Sequence, residues 1–228
     1  MTSPPCWNDD NPADLPTIAA DTNAPLVRML AVSSARPMPG AAHLCRWHTV
    51  IYADCQAPVT GYIGRFRGDQ CVPELVGYEV GVGPTQPDGY PDRVGVWSAE
   101  LPAPLSSFFT GVTAALAQLD QVLALGQRPM SVDELEAVVG LTALAHGEWL
   151  RLHPFANGNG RTGRLLAAFI ALRYSVPIFA RVKPRPHDVA YERAARASTG
   201  PPAFAGDHST AVAVFGHLLS PGLLAPPP

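Results

Sequence analysis

Residues 153–164 read His-Pro-Phe-Ala-Asn-Gly-Asn-Gly-Arg-Thr-Gly-Arg, between two segments of helical periodicity. This stretch constrains the fold more than any other. Pro154 disfavours the α region for His153, so the helix entering from the N-terminal side must end there. Gly158 and Gly160 allow backbone conformations closed to other residues. The local outcome is helix, tight loop, helix, a stiff frame around a turn.

The flanks support that frame. Ser131-Val132-Asp133-Glu134 is a capping-box pattern, which predicts a helix from Ser131 to Leu152. Arg161 to Tyr174 predicts a second, strongly apolar helix. Leu105, Phe108, Phe109, Val112, Leu116, Leu119 and Leu123 share one stripe, which predicts a helix over 105–125 stopped by Gly126. Gly40 to Ala53 predicts a helix with Leu44, Trp47, His48 and Ile51 on one face. Shorter helices are expected at 24–30, 191–197 and 209–219. Only residues 76–97 carry a β pattern. Val76, Tyr78, Val80 and Val82 alternate, a turn-rich run spans 83–89, and Val94, Val96 and Trp97 follow. The predicted fold class is all-α (mainly helical) with one inserted β-hairpin. Residues 1–24 read as a proline-rich arm, 25–220 as the domain and 221–228 as a tail.

Bulk properties narrow the function. At 47% hydrophobic and 15% charged residues, the 228-residue chain has enough apolar material for one core. Its net charge of −3 gives no global field for nucleic acid or anionic membranes. The one basic run, Arg181, Lys183 and Arg185, reads as a solvated loop or a rim. Cys6, Cys45, Cys55 and Cys71 form no CxxC pair, which argues against zinc and for free thiols. The N-terminus lacks a basic region followed by an apolar one, so no signal peptide is expected. The longest uncharged apolar run, Leu165 to Leu172, is too short for a bilayer. The expected location is the cytoplasm, with export by another route left open.

The chemistry of 153–164 follows from its parts. A glycine turn can converge backbone N–H groups on an anion, and the helix N-terminus behind it favours phosphate. Arg161 and Arg164, one turn apart, can clamp phosphate oxygens. His153 is a base able to take a proton from a hydroxyl near neutral pH. Singly, each piece has a plainer reading: a helix cap, an ordinary turn, solvating arginines. Together, in this order, they point to phosphate chemistry.

The stretch also resembles the Fic family motif H-P-F-x-[D/E]-G-N-G-R-x-x-R, with every fixed position matched except the acidic one, here Asn157. The helix residues Ala145 to Leu152 resemble the one leading into that motif. Gly61-Tyr62-Ile63-Gly64-Arg65-Phe66-Arg67 resembles the segment before the family's hairpin, called the flap. The likeness covers roughly residues 40–220. It implies a protein adenylyltransferase that moves AMP from ATP to a Ser, Thr or Tyr hydroxyl of a target protein. By position it makes His153 the catalytic base and Phe155 a structural anchor. It makes Gly158, Asn159, Gly160, Arg161 and Arg164 the ATP and phosphate site. Asn157 becomes a weak metal ligand for Mg2+ or Mn2+. Tyr78, Val80, Val82, Val94 and Val96 become flap residues that align the target by strand addition. No glutamate fits the family's built-in inhibitory pattern, so the resemblance implies either a separate, antitoxin-like inhibitor protein or a different kind of regulation. Two other readings stay open. One is phosphotransfer or another nucleotidyl transfer on the same fold. The other is a weakened pseudo-enzyme that binds nucleotide or a partner. Tyr191 belongs either to the base pocket or to the core.

Overall fold

A computed structural model describes residues 4–7, 11–31, 38–82, 92–124, 126–176 and 189–219. The turn-rich run 83–89, the basic residues Arg181, Lys183 and Arg185, and the tail 221–228 lie outside them. The described elements run α1 (Leu15–Ala31), α2 (Ala41–Tyr52), β1 (Val80–Val82), β2 (Asp92–Val94), α3 (Pro102–Leu119), α4 (Val132–Leu152), α5 (Asn159–Arg173), α6 (Val189–Thr199) and α7 (Ser209–Leu219). The molecule is mainly helical with one small antiparallel hairpin, as the sequence predicts.

Helix α5 is the centre. Thirteen of its fifteen residues are buried, including Arg161 and Arg164 in its first two turns, so it has no solvent face to speak of. Helix α4 packs along it and also against α3, α6 and α7. The fully buried Trp149 ties α4 to α5 by donating its indole N–H to Thr162 Oγ1 at 2.9 Å. The start of α4 is fixed locally. Ser131 accepts from Glu134 N–H, and the Glu134 carboxylate accepts from Ser131 N–H. No helix among the described residues is long and apolar enough to cross a membrane.

Several expectations shift. The N-terminal arm is not irregular throughout: α1 covers 15–31 with Pro25 inside it, and it packs on α2 and α5. Ahead of it, Trp7 is buried against Tyr52, Tyr62 and His48 and donates its N–H to Tyr78 Oη at 2.7 Å. Helix α3 ends at Leu119, well before Gly126. Asp120 caps it there because its carboxylate is held by Arg173 and by Tyr174 Oη at 2.8 Å, which anchors the chain end against α5. Gly126, at φ 77°, turns the chain later and donates its N–H to Arg173 O.

The hairpin is shorter than the alternation suggests. Its register pairs Val80 with Val94, Gly81 with Arg93 and Val82 with Asp92. Continuing that register would pair Tyr78 with Val96, yet neither residue is in a strand. Both are core residues, at 1% and 4% exposure, as is the strand residue Val80 at 4%. The ladder stops because a guanidinium stands between them. Arg67 donates to Tyr78 O at 3.3 Å and to Val96 O at 2.7 Å.

Candidate active site

The loop between α4 and α5 carries the candidate site. His153 caps α4 in the left-handed region, φ 49° and ψ 54°. Pro154 does exclude the α region, but the chain takes a left-handed turn instead of an extended one. The His153 Nδ1 lies 2.9 Å from Leu150 O. A carbonyl only accepts, so Nδ1 carries the proton and Nε2 is the basic nitrogen. Burial, opposed by that hydrogen bond and aided by the Arg67 charge, pushes the His153 pKa down to about 4. The imidazole is therefore neutral at pH 7 and able to accept a proton.

Gly158 sits at φ 80°, and a Cβ there would lie 2.7 Å from the Tyr52 ring. Both facts require glycine. Gly160 differs from expectation, for it is ordinary helix in the first turn of α5. A Cβ at Gly160 would lie 3.2 Å from Arg164 Nη1, so Arg164 folds back over the helix N-terminus. Helix geometry leaves the N–H groups of Asn159 and Gly160 without an intrahelical acceptor at that same end. Arg161 donates to the Tyr52 hydroxyl, and its guanidinium centre stands 5.5 Å from the Tyr52 ring. Arg164 Nη1 donates to Tyr191 Oη at 3.3 Å, and Tyr191 Oη meets His146 Nε2 at 3.1 Å. Tyr191 is buried, yet it touches the arginine, so it serves core and site together.

Asn159 turns its side chain inward. Its Oδ1 accepts from Phe155 N–H and its Nδ2 donates to Phe155 O, both at 2.9 Å. It is a loop lock, and what it can offer an anion is its backbone N–H. Phe155 is fully buried and stacks on His48 with ring centres 4.1 Å apart.

The sequence reading missed three contributors. His48 accepts from Gly64 N–H at Nδ1, 2.9 Å, so its Nε2 donates to Asn157 O at 3.0 Å. Its signal was a polar residue on an apolar helix face. Burial lowers its pKa to about 4. Arg67 had only its place in a resembling segment. Gly95, at φ 80°, brings the hairpin onto the base: a Cβ there would be 2.4 Å from His153 Cβ. Nothing local in the sequence announces that contact. Of the expected flap residues, Val80 and Val94 are strand partners and Val82 pairs with Asp92.

A resident metal is poorly served. Among the described residues no group of three or more His, Cys, Asp or Glu could hold one. Asn157 supplies a single neutral oxygen, and that oxygen accepts Gly158 N–H at 2.6 Å. Mg2+ normally takes at least one carboxylate from the protein, so this donor set does not fit a metal held by the chain itself.

A helical domain whose central helix starts in a glycine loop, with a histidine opposite and a hairpin above, is the class defined so far. A profile of the Fic/DOC family matches residues 40–171, and the chain belongs to the Fic/DOC family. Its fold is similar to BepC, a VirB-translocated effector protein of Bartonella tribocorum solved with bound AMPPNP. The TM-score is 0.54 at 14% identity, covering 91% of this chain and 87% of that one. It is also similar to the N-terminal Fic domain of a VirB-translocated Bep effector of Bartonella quintana, with a TM-score of 0.54 at 17% identity over 91% and 83% of the two chains. A Fic-domain signalling protein of Bacteroides thetaiotaomicron matches at 20% identity and a TM-score of 0.43, over 72% of this chain; the chain spans about half, 47%, of that protein. No curated protein matches the chain.

Proposed function

We propose that this protein transfers AMP from ATP to a hydroxyl side chain of a target protein. The observation that carries the reading is the His153 tautomer. Nδ1–H is committed to Leu150 O, and that leaves a basic Nε2 at the end of α4, in the loop that leads into the N-terminus of α5. In the step proposed, the target hydroxyl oxygen attacks the α-phosphorus of ATP. A new O–P bond forms, the α–β anhydride bond breaks, and pyrophosphate leaves with the bond's electron pair. The hydroxyl proton passes to His153 Nε2. A base with a pKa near 4 accepts a proton reluctantly. The negative triphosphate beside it raises that value toward the useful range.

Arg164, folded back over the first turn of α5, and Arg161 beside it hold the outer phosphates. Their charge meets the leaving pyrophosphate, a preorganised electrostatic contribution. The backbone N–H groups of Asn159 and Gly160 face the same anion. The hairpin offers backbone for strand addition by the target. A divalent ion, where one takes part, belongs to the nucleotide's own phosphates. The regulator in this reading is a separate inhibitor protein, since α1, which packs on α5, contains no glutamate.

The test is incubation with α-labelled ATP and host lysate, beside His153→Ala. The expected result is a labelled protein band lost by about 10²- to 10⁴-fold in the variant. Transfer of γ-label instead of α-label would establish phosphotransfer and refute the proposal. Equal labelling by wild type and variant would refute the role of His153.

A further inference from the structure

We propose that Arg67 is a positioning residue: its guanidinium holds the base His153 and both strands of the flap in one fixed register. The inference rests on the reading of His153 as the base. Its support is a complete account of one side chain. Arg67 is buried at 2% exposure. Its Nε donates to His153 O at 2.7 Å, and Nη2 donates to Leu152 O at 3.2 Å and Val96 O at 2.7 Å. Its Nη1 donates to Tyr78 O at 3.3 Å and to Glu79 Oε2 at 2.9 Å. A guanidinium has five N–H donors, and all five are used.

The targets are not random. Tyr78 and Val96 are the pair that the hairpin register would join next, so the guanidinium takes the place of a ladder rung. Leu152 and His153 are the last residue of α4 and its left-handed cap. One planar fork therefore fixes the separation between the hairpin base and the residue carrying the imidazole. The main chain repeats the link: Arg67 N–H donates to Pro154 O at 2.8 Å, and Phe66 bridges Phe155. Glu79 steadies the fork from outside, its Oε1 accepting from Ser98 N–H at 3.0 Å and Ser98 Oγ at 2.7 Å. Gly95 lies between them, its Cβ position 3.1 Å from Arg67 Nη2 as well as against His153. Arg67 touches neither nucleotide nor reacting atoms. It acts through His153, whose left-handed backbone costs energy and needs such restraint. Its charge is also the one that acts on the imidazole, helping burial to keep it neutral.

Lysine keeps the charge but has three donors on a flexible stem and cannot make five planar bonds. The experiment compares Arg67→Lys with wild type in two readouts. The first is the kinetics of α-label transfer. A drop in kcat of about tenfold or more is expected, with KM for ATP within about threefold, because misplaced geometry costs rate more than nucleotide binding. The second is NMR of protein labelled at histidine nitrogen, following the tautomer and titration of His153. The Nδ1–H preference of His153 should weaken and its midpoint move, while His48 and His146 stay as in wild type. An unchanged His153 tautomer and midpoint would overturn the proposal. So would equal shifts in all three histidines, since that marks general loosening. The NMR readout needs no transfer activity, so a protein that moves no AMP would refute the functional reading and leave this one decidable. Where Arg67→Lys does not fold, Glu79→Gln carries the test, as it keeps Arg67 and removes only its charged partner. The same changes at smaller size are expected there, and a folded Glu79→Gln with wild-type His153 behaviour would overturn the proposal.

Discussion

Three histidines are built into the interior as neutral groups, and that sets how the protein responds to acid. His48 stacks on Phe155, and His146 packs on Tyr191 and Phe215. His153 caps α4. Burial is the largest cause in each case, lowering the pKa to about 4, 3 and 4 respectively. In the unfolded chain each titrates near 6.5. Below that pH the unfolded state binds protons that the folded state refuses, so stability falls as pH falls. The loss begins near pH 6.5 and continues to about pH 4 for His48 and His153 and about pH 3 for His146. At pH 5.5 each fully shielded group has cost about 1.4 kcal/mol relative to pH 7.5. His153 keeps some contact with water and contributes least. The sum is about 3 to 4 kcal/mol, a large part of the ~5–15 kcal/mol available to a domain. The carboxylates held below their usual range, Asp69, Asp120, Glu148 and Asp207, titrate at lower pH and leave this window to the histidines. Urea unfolding followed by tryptophan fluorescence at pH 7.5, 6.5 and 5.5 measures the loss. His146→Leu should flatten the pH dependence by about a third. A stability independent of pH across this window, or an unaltered slope in the variant, would refute the reasoning.

Other consequences are simpler to state. Gly95→Ala should leave the protein folded but remove most transfer activity, because the new methyl would press on His153 Cβ from 2.4 Å away; full activity in a folded variant would show that the hairpin does not bear on the base. Asn157→Asp should lower the Mg2+ concentration needed for half-maximal transfer several-fold, because a carboxylate binds the ion far better than an amide; an unchanged Mg2+ titration would remove this position from metal binding. Asp21→Ala should leave the unfolding midpoint unchanged or higher, because the buried Asp21 Oδ2 has no hydrogen-bond partner among the described residues; a loss above about 1 kcal/mol would mean that the carboxylate is paired.

What could be read from the sequence was what acts over short range. The Ser131 capping box, the break at Pro154 and the left-handed turn at Gly158 depend on neighbours within a few residues, and each is as expected. The class of fold followed from the same local periodicities. Boundaries failed where distant groups intervened. Helix α3 stops at Leu119 because Arg173 and Tyr174 bind Asp120 from more than fifty residues away. The hairpin stops short of Tyr78 because of Arg67. The helix at 15–31 was obscured by proline and by polar residues that gave no clear stripe. Within the site, the reacting types and their order were legible. Their supports were not, since His48 lies 109 positions from Asn157 and Arg67 lies 86 from His153.

Those supports explain why residue 157 can change. The loop is held at three places, and none of them uses a functional group that an acid would need to supply. Asn159 binds both backbone groups of Phe155. Arg67 binds the carbonyls of Leu152 and His153. His48 binds the Asn157 carbonyl of the main chain, which any residue possesses. The hydrogen bond from Gly158 N–H to the Asn157 side-chain oxygen would be made as well by a carboxylate. These three supports therefore do not select between amide and acid at this position. A choice these supports do not make is open to the chemistry of the bound nucleotide. Asn157→Asp should accordingly change the metal requirement while leaving the unfolding midpoint near that of wild type, and a large stability change in that variant would show that the loop depends on the amide after all.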